Sequence, residues 1–216
     1  MQAAQIPVTP RGQARRTAMI QAAKAVFLEH GYERTTLDMV IDQAGGSRRT
    51  LYECFGDKAG LFRAVIELHT HELLEQLQAL PSSTDAPEET LKDVARLYLR
   101  MLLSPEAIGM YRLLVAEAPK FPELGQAFYL AGPLSIRQHL TQYLISQHRC
   151  GTLHVPDATI AARQFVGLIK SDHQLGALLC PPTENCLEQR SEAEIDNEIA
   201  QAVRLFINGL QAKPVT

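Results

Sequence analysis

The chain has 216 residues, of which 46% are hydrophobic and 21% charged, and its formal net charge is −3. This length and composition favour one large or two modest folded domains and exclude a largely disordered protein. An acidic total argues against nucleic-acid binding by the chain as a whole, so the distribution of charge matters more than its sum.

Charge is divided unequally along the chain. Residues 1–60 contain eight Lys or Arg against six Asp or Glu, a local charge of +2, and the remaining residues carry thirteen against eighteen, or −5. A mildly basic head on an acidic body suits a protein that binds DNA through one end only. Double-stranded DNA is therefore the first partner to consider.

Cysteine usage and hydropathy indicate the compartment. The four cysteines lack the CxxC spacing of a zinc site, and we expect them to be reduced thiols: Cys54, Cys150, Cys180 and Cys186. The first ten residues lack the charged and apolar regions of a signal peptide, and no apolar run approaches membrane-spanning length. The prediction is a cytoplasmic protein without a membrane segment.

The N-terminal third reads as an arm followed by three short helices. Residues 1–12 contain prolines and no periodic apolar pattern, which predicts a flexible arm whose basic residues either reach DNA or remain a solvated tail. A first helix is predicted over residues 13–30, with Gly31 as its C-cap. Thr36 is a suitable N-cap for a second helix over residues 37–44.

The third predicted helix contains the candidate DNA-contacting residues. Ser47 is a good N-cap, so Arg48 and Arg49 fall in the first turn, where a DNA-reading helix presents its base-contacting side chains. Leu51 and Phe55 are four residues apart and supply the apolar stripe, which predicts core rather than DNA contact.

These residues belong to a longer pattern. The run GYERTTLDMVIDQAGGSRRTLYECFGDKAGLF, residues 31–62, resembles the TetR/AcrR family of bacterial transcriptional regulators along its whole length. The resemblance rests on residues that stand at the spacings of the family: Thr35-Thr36, Ala44-Gly45, Ser47, Thr50-Leu51-Tyr52, Phe55, Lys58 and Leu61-Phe62.

The resemblance implies an all-α fold of about nine helices. An N-terminal three-helix helix-turn-helix DNA-binding domain, residues 13–60, would join a larger C-terminal ligand-binding and dimerisation domain, residues 61–216. It also implies that phosphates are contacted by Thr36, Tyr52 and Lys58, and that base edges are faced by Arg48, Arg49 and Thr50. Ser47 joins Tyr52 and Lys58 as a group that positions the domain.

Physical chemistry supports this division of roles. A Thr at a helix start offers a phosphate its hydroxyl and the positive end of the helix dipole, and Lys58 begins the next helix in the same way. An arginine can donate two hydrogen bonds to guanine, worth about 1 to 3 kcal/mol of discrimination. Adjacent helical residues point about 100° apart, so only one of Arg48 and Arg49 is expected to read a base, and the sequence leaves open which one.

Two positions depart from the family's pattern. The family commonly has a small residue at the position of Ile41 and an aliphatic one at the position of Gly46. We hypothesise that the two sites share one packing space, so that Ile41 fills the volume that Gly46 vacates.

The remainder predicts further helices and a possible pocket. A long helix is expected over residues 58–80, a loop over residues 81–87, and three helices over residues 88–149 with an interruption at Gly132-Pro133. The stretch MYRLLVAEAPKFPELGQAFYLAGPL also resembles the C-terminal domain of one subgroup of the family. Six side chains are candidates to line a pocket for a small-molecule effector, although their spacing equally fits ordinary core: Tyr98, Met101, Met110, Leu114, Phe128 and Tyr129.

Two closing helices are assigned to a dimer interface by resemblance. Their apolar stripes fit either core or interface, and a twofold dimer gives a short recognition helix adequate specificity. The residues assigned to this interface are Phe165, Leu168, Ile169, Ile199, Val203 and Phe206.

The leading hypothesis is a homodimeric DNA-binding repressor that a small apolar or amphipathic ligand releases from its operator. The alternative is a helical ligand-binding or interaction protein without regulatory DNA binding. An enzyme is disfavoured because the sequence has no glycine-rich phosphate loop, HExxH helix or GxSxG elbow. No cofactor, metal or catalytic residue is predicted.

Overall fold

The computed structural model of the protein describes residues 10–80, 86–170, 173–180 and 191–211. These ranges are helical and contain no strand, which confirms the predicted all-α class. The α-helices are α1 Pro10–Arg34, α2 Leu37–Ala44, α3 Arg48–Phe55, α4 Lys58–Gln78, α5 Pro87–Leu102, α6 Pro105–Glu117, α7 Pro122–Tyr129, α8 Ser135–Arg149, α9 Ala158–Lys170, α10 His173–Leu179 and α11 Glu192–Gln211.

The described ranges hold eleven α-helices instead of about nine. One reason is the interruption predicted at Gly132-Pro133, where a π-helical segment, Leu130–Leu134, separates α7 from α8. Proline lacks an N–H and cannot complete a regular α-helical ladder, and a wider π turn accommodates the missing bond.

The predicted arm is shorter than expected. Residues 10–12 already belong to α1, and residues 1–9 lie outside the described residues. Within α1, the guanidinium carbon of Arg16 lies 5.3 Å from the centre of the Phe55 ring. At the other end of α1, the backbone leaves the helical region at Gly31, with φ 79°, where a C-cap was predicted.

The chain divides into two compact units. Residues 10–69 and 109–131 form the first, here called the head unit, and residues 70–108 and 132–211 form the second, the body unit. The core of the head unit includes Phe27 and Phe62 from α1 and α4, together with Met110 and Leu124 from α6 and α7. The domain boundary predicted at residue 60 therefore differs from the boundaries of the head unit. Three short helices need further apolar surface to form a core.

The body unit is built on α5, α8, α9 and α11. Five of the six residues assigned to the dimer interface are buried in this core: Phe165, Ile169, Ile199, Val203 and Phe206. The rings of Phe165 and Phe206 pack 5.1 Å apart within the chain. The assignment of these five residues to the interface is corrected, because their side chains pack inside the core of their own subunit. Leu168 is 36% exposed and remains available.

The six candidate effector residues are divided between the units. Tyr98 and Met101 lie on α5 in the body unit, and the other four, Met110, Leu114, Phe128 and Tyr129, lie on α6 and α7 in the head unit. Tyr129 is 49% exposed, and the rest pack in or against the cores of their units.

The cysteines differ from expectation at one position. Cys54 and Cys150 are not in a disulfide, whereas Cys180 is disulfide-bonded. Cys186 lies outside the described residues. The part of the chain that the structure describes has no helix long and apolar enough to cross a membrane.

Candidate nucleic-acid interface

The caps of α2 and α3 form where the sequence predicts them. The Thr36 hydroxyl accepts a hydrogen bond from the Met39 N–H at 3.3 Å, and the Ser47 hydroxyl accepts one from the Thr50 N–H at 3.2 Å. Each cap satisfies a backbone donor that the first turn of a helix leaves unpaired. The two helix starts are thereby fixed.

The apolar side of α3 faces inward. Leu51 is fully buried and Phe55 is 8% exposed, and both belong to the core of the head unit, as predicted. Burial of this stripe fixes the rotation of α3 about its own axis. Its other side therefore points outward.

The turn between α2 and α3 packs against α1. Gly46 has φ 118°, and a Cβ added to it would lie 2.6 Å from Met19 Cε. Met19 is fully buried, whereas Ile41 is only partly buried. The hypothesis that Ile41 fills the space beside Gly46 is thus wrong, since the terminal methyl of Met19 occupies it.

The outward side of α3 carries the predicted DNA-reading residues. The side chains of Arg48 and Arg49 are 71% and 87% exposed. Tyr52 is 54% exposed, and the Thr50 hydroxyl lies 3.0 Å from that of Ser47. The structure brings five of the seven predicted residues onto one short helix and its cap.

Arg48 is held by another helix. Its guanidinium donates to both carboxylate oxygens of Asp38 on α2, with Nε 2.6 Å from Oδ1 and Nη2 bonded to Oδ2. The hydrogen bond from Arg48 lowers the pKa of Asp38, so the carboxylate stays ionised. Because this fork-shaped contact joins α2 to α3, it constrains the angle between them. No local sequence pattern predicts this contact, since the two residues are ten apart in the chain.

Among the residues that the structure describes, Arg49 pairs with a residue of its own helix alone. Its Nε donates to Glu53 Oε1 at 2.8 Å, an i, i+4 pair in which both side chains are mostly exposed. Exposed pairs of this kind contribute little, and placing the cation N-terminal to the carboxylate is the weaker order. Arg49 can therefore exchange Glu53 for a DNA acceptor at small cost.

The ammonium of Lys58 is directed at backbone carbonyls within the head unit, whereas we expected it to face a phosphate. Its Nζ donates to the carbonyl oxygens of Tyr32 at 2.8 Å, Thr35 at 3.0 Å and Glu33 at 3.3 Å. An ammonium has three N–H donors, and these bonds use all of them. A phosphate contact would require at least one of them to break.

The last turn of α1 makes further contacts for which the sequence has no local signal. Glu33 pairs with Lys120 at 3.0 Å, and the Tyr32 ring packs 5.3 Å from that of Phe121. Burial, and then the charges of Glu123 and Asp57, raise the pKa of Tyr32 to about 12. The last turn of α1 is thus packed against the segment that joins α6 to α7.

The head unit also has an open cleft of about 320 Å³. Its lining combines apolar and charged side chains, among them Phe55, Arg63, Glu123 and Leu130. None of the six candidate effector residues lines it.

Two family descriptions match the chain. "Bacterial regulatory proteins, tetR family" matches residues 19–65, and "AefR-like transcriptional repressor, C-terminal domain" matches residues 89–209. The first match contains α2, α3 and the caps described above. The second covers more than half of the chain.

Curated relatives match over shorter regions. The transcriptional activator FasR of Mycolicibacterium smegmatis is 38% identical over 77 residues, 35% of each chain. The transcriptional repressor ComR of Escherichia coli is 42% identical over 52 residues, 24% of this chain and 25% of its own. The chain thus spans about a third or less of the length of these two relatives.

Solved structures are similar over nearly the whole chain. A TetR-family regulator from Mesorhizobium loti has a TM-score of 0.77 at 25% identity, covering 93% of this chain and 98% of its own. The flavonoid-responsive regulator FrrA has a TM-score of 0.72 at 29% identity, covering 91% of this chain and 97% of its own. The fold described above is therefore shared with known regulators.

Proposed function

The chain belongs to the TetR family of bacterial transcriptional regulators, and on that premise we propose that it is a homodimeric repressor released from its operator by a small ligand. The partners would be an operator in double-stranded DNA, a second copy of the chain and the effector. Its place of action is the cytoplasm, where the chromosome lies, and no catalytic role is proposed.

The observation that carries the proposal is the outward face of α3. Leu51 and Phe55 anchor one side of the helix in the core, so Arg48, Arg49 and Tyr52 are presented together on the other. A short, capped helix with exposed arginines in its first turn has the shape and the donors needed to enter a major groove. Thr36 and Ser47 place two helix N-termini beside it, which favours phosphate binding.

We assign base reading to Arg49 and positioning to Arg48. If Arg48 contacted a base, it would break its two hydrogen bonds with Asp38. The carboxylate of Asp38 would then face the phosphates without its partner. Reading by Arg49 would break only an exposed pair within α3. The guanidinium of Arg49 is thus the one that can move to guanine O6 and N7.

Dimerisation is proposed through the outer faces of α9 and α11. Ile160 and Leu168 on α9 are 44% and 36% exposed, and Leu205 on α11 is 65% exposed. A Cβ added at Gly167 or Gly209 would meet nothing within 4 Å, so partner side chains could approach closely there. These apolar side chains lie on the same two helices as the buried residues first assigned to the interface, but on their other faces.

Repression and ligand release rest on the relatives. The description matched by residues 89–209 is that of a transcriptional repressor, and FrrA is named for its response to flavonoids. We propose an apolar or amphipathic effector that binds the C-terminal domain and favours a head spacing that no longer fits successive major grooves. Such an effector acts only by binding one conformation more tightly than the other.

Selection of DNA from a random-sequence pool by the purified full chain tests this proposal. We expect enrichment of an inverted repeat whose half-sites lie about one helical turn, 10–10.5 bp, or a multiple of it apart. Recovery of unenriched sequences would contradict the proposal and favour a helical interaction protein.

A further inference from the structure

Lys58 is the first residue of α4, yet its ammonium is directed at the end of α1. The three carbonyls that it contacts belong to the last turn of α1 and to the connection that follows, and they are separated from Lys58 by 23 to 26 residues. Helix C-termini leave carbonyls unpaired and carry partial negative charge, which a cation offsets. The contact is therefore a C-cap supplied by a distant helix.

The surroundings of Lys58 reinforce this placement. Its Nζ lies 4.5 Å from the centre of the Tyr32 ring, within the range of a cation–π contact. Burial lowers the pKa of Lys58, while nearby carboxylates, of which Glu117 acts most strongly, favour its charged form. An ammonium that is partly desolvated and fully hydrogen-bonded has no donor left for a phosphate.

The connection held by Lys58 leads directly into α2. The Thr35 hydroxyl donates to the Gly31 carbonyl at 2.7 Å, and Thr35 is 2% exposed. The next residue, Thr36, is the N-cap of α2. Any displacement of the Thr35 carbonyl, which Lys58 contacts, therefore moves the first turn of α2.

We propose that Lys58 is a positioning residue, which holds the connection between α1 and α2 so that Thr36 and the first turn of α2 meet an operator phosphate, and that it contacts no phosphate itself. The inference rests on the proposed function, because it concerns the DNA-bound head unit. It replaces the role that family resemblance implies for this lysine with an internal one.

Replacing Lys58 by Met tests the inference, because Met keeps an unbranched apolar stem and removes the donors. The matched control is Arg63→Met, which removes another cation of α4, one that lies 3.8 Å from Glu67. Affinity for the selected operator is measured over a series of salt concentrations, well below the melting temperature of each variant. Lys58→Arg, which keeps a charged donor, is the rescue variant.

For Lys58→Met we expect about a tenfold loss of affinity with an unchanged slope of log K against log salt. We expect recovery of most of the affinity in Lys58→Arg and no change in Arg63→Met. A slope smaller by about 0.9 for each phosphate contact removed would overturn the inference, because it would identify Lys58 as a direct contact. A lower melting temperature with unchanged affinity would overturn it too, since Lys58 would then be merely structural.

The wild-type ammonium provides a readout that does not depend on the folding of a variant. Its ¹H–¹⁵N NMR signal should be visible in the free protein, because hydrogen-bonded donors exchange slowly, and should not move when operator is added. A large shift on binding would contradict the inference. Failure of the wild type to select any operator would instead contradict the proposed function, so the two failures are distinguishable.

Discussion

Gly46 and Met19 are in direct contact across the turn between α2 and α3. Gly46 has φ 118°, and a Cβ at this position would lie 2.6 Å from Met19 Cε. L-residues rarely adopt this backbone conformation, so both the backbone and the packing favour glycine. The orientation of α3 is thus tied to α1 through a fully buried methionine.

Gly46→Val should destabilise the head unit by about 1–3 kcal/mol, because it adds backbone strain and a close contact with Met19. Met19→Ala should remove the close contact but not the strain, so the double variant should cost at least about 0.5 kcal/mol less than the sum of the single changes. Ile41→Ala should be additive with Gly46→Val, because Ile41 does not occupy this space. Chemical denaturation measures the free energies of unfolding for both double-mutant cycles. Coupling of Gly46 to Ile41 instead of Met19 would contradict the assignment of Met19 as the residue that occupies this space.

Arg49→Ala should abolish discrimination at one guanine of each half-site, where the wild type should prefer guanine roughly 5- to 150-fold. Arg48→Ala and Asp38→Asn should instead weaken binding to all sequences similarly, because they loosen α2 from α3. Glu53→Gln is the matched control and should retain discrimination. The measurement is affinity for a panel of operators with single base changes. Loss of discrimination in Arg48→Ala, with retention in Arg49→Ala, would reverse the two roles.

Leu205→Glu should convert the dimer to a monomer, because it places a charge on the exposed apolar face of α11. Val115, which is 62% exposed on α6, is the matched control, and Val115→Glu should leave the dimer intact. Sedimentation velocity gives the oligomeric state, and circular dichroism checks that both variants remain helical. A Leu205→Glu variant that stays dimeric would exclude this face of α11.

The raised pKa of Tyr32 predicts a loss of stability at high pH. The unfolded chain releases the phenol proton at about pH 10 and the folded chain at about pH 12, so the folded state binds more protons between these values. The free energy of unfolding should therefore fall as pH rises through this range, by about 1–2 kcal/mol relative to Tyr32→Phe. Denaturation of the wild type and of Tyr32→Phe at several pH values measures this difference. The same dependence of the free energy of unfolding on pH in both proteins would contradict the prediction.

Local patterns predicted the caps and the buried stripe of α3, because an N-cap and an i, i+4 apolar pair depend on residues within one helical turn. Ser47, Leu51 and Phe55 are examples. The pairing of Arg48 with Asp38 could not be predicted in this way, since it depends on the angle between two helices.

Longer-range packing decided the remaining differences. Lys58 reaches carbonyls 23 to 26 residues away, and residues 109–131 join the head unit from the middle of the chain. The apolar stripe containing Val203 and Phe206 could be read as core or interface, and only tertiary packing separates the two. Periodicity identifies which face of a helix is apolar but not what covers it.

Binding of a fluorescent operator by the wild type and by the Arg48→Ala/Arg49→Ala variant tests the central claim most directly. The wild type should bind with nanomolar to tens-of-nanomolar affinity that falls steeply with salt, as expected when phosphate contacts release counterions. The double variant should remain helical and lose at least about 100-fold in affinity. Unchanged affinity in a folded double variant would contradict the assignment of α3 as the DNA-reading element.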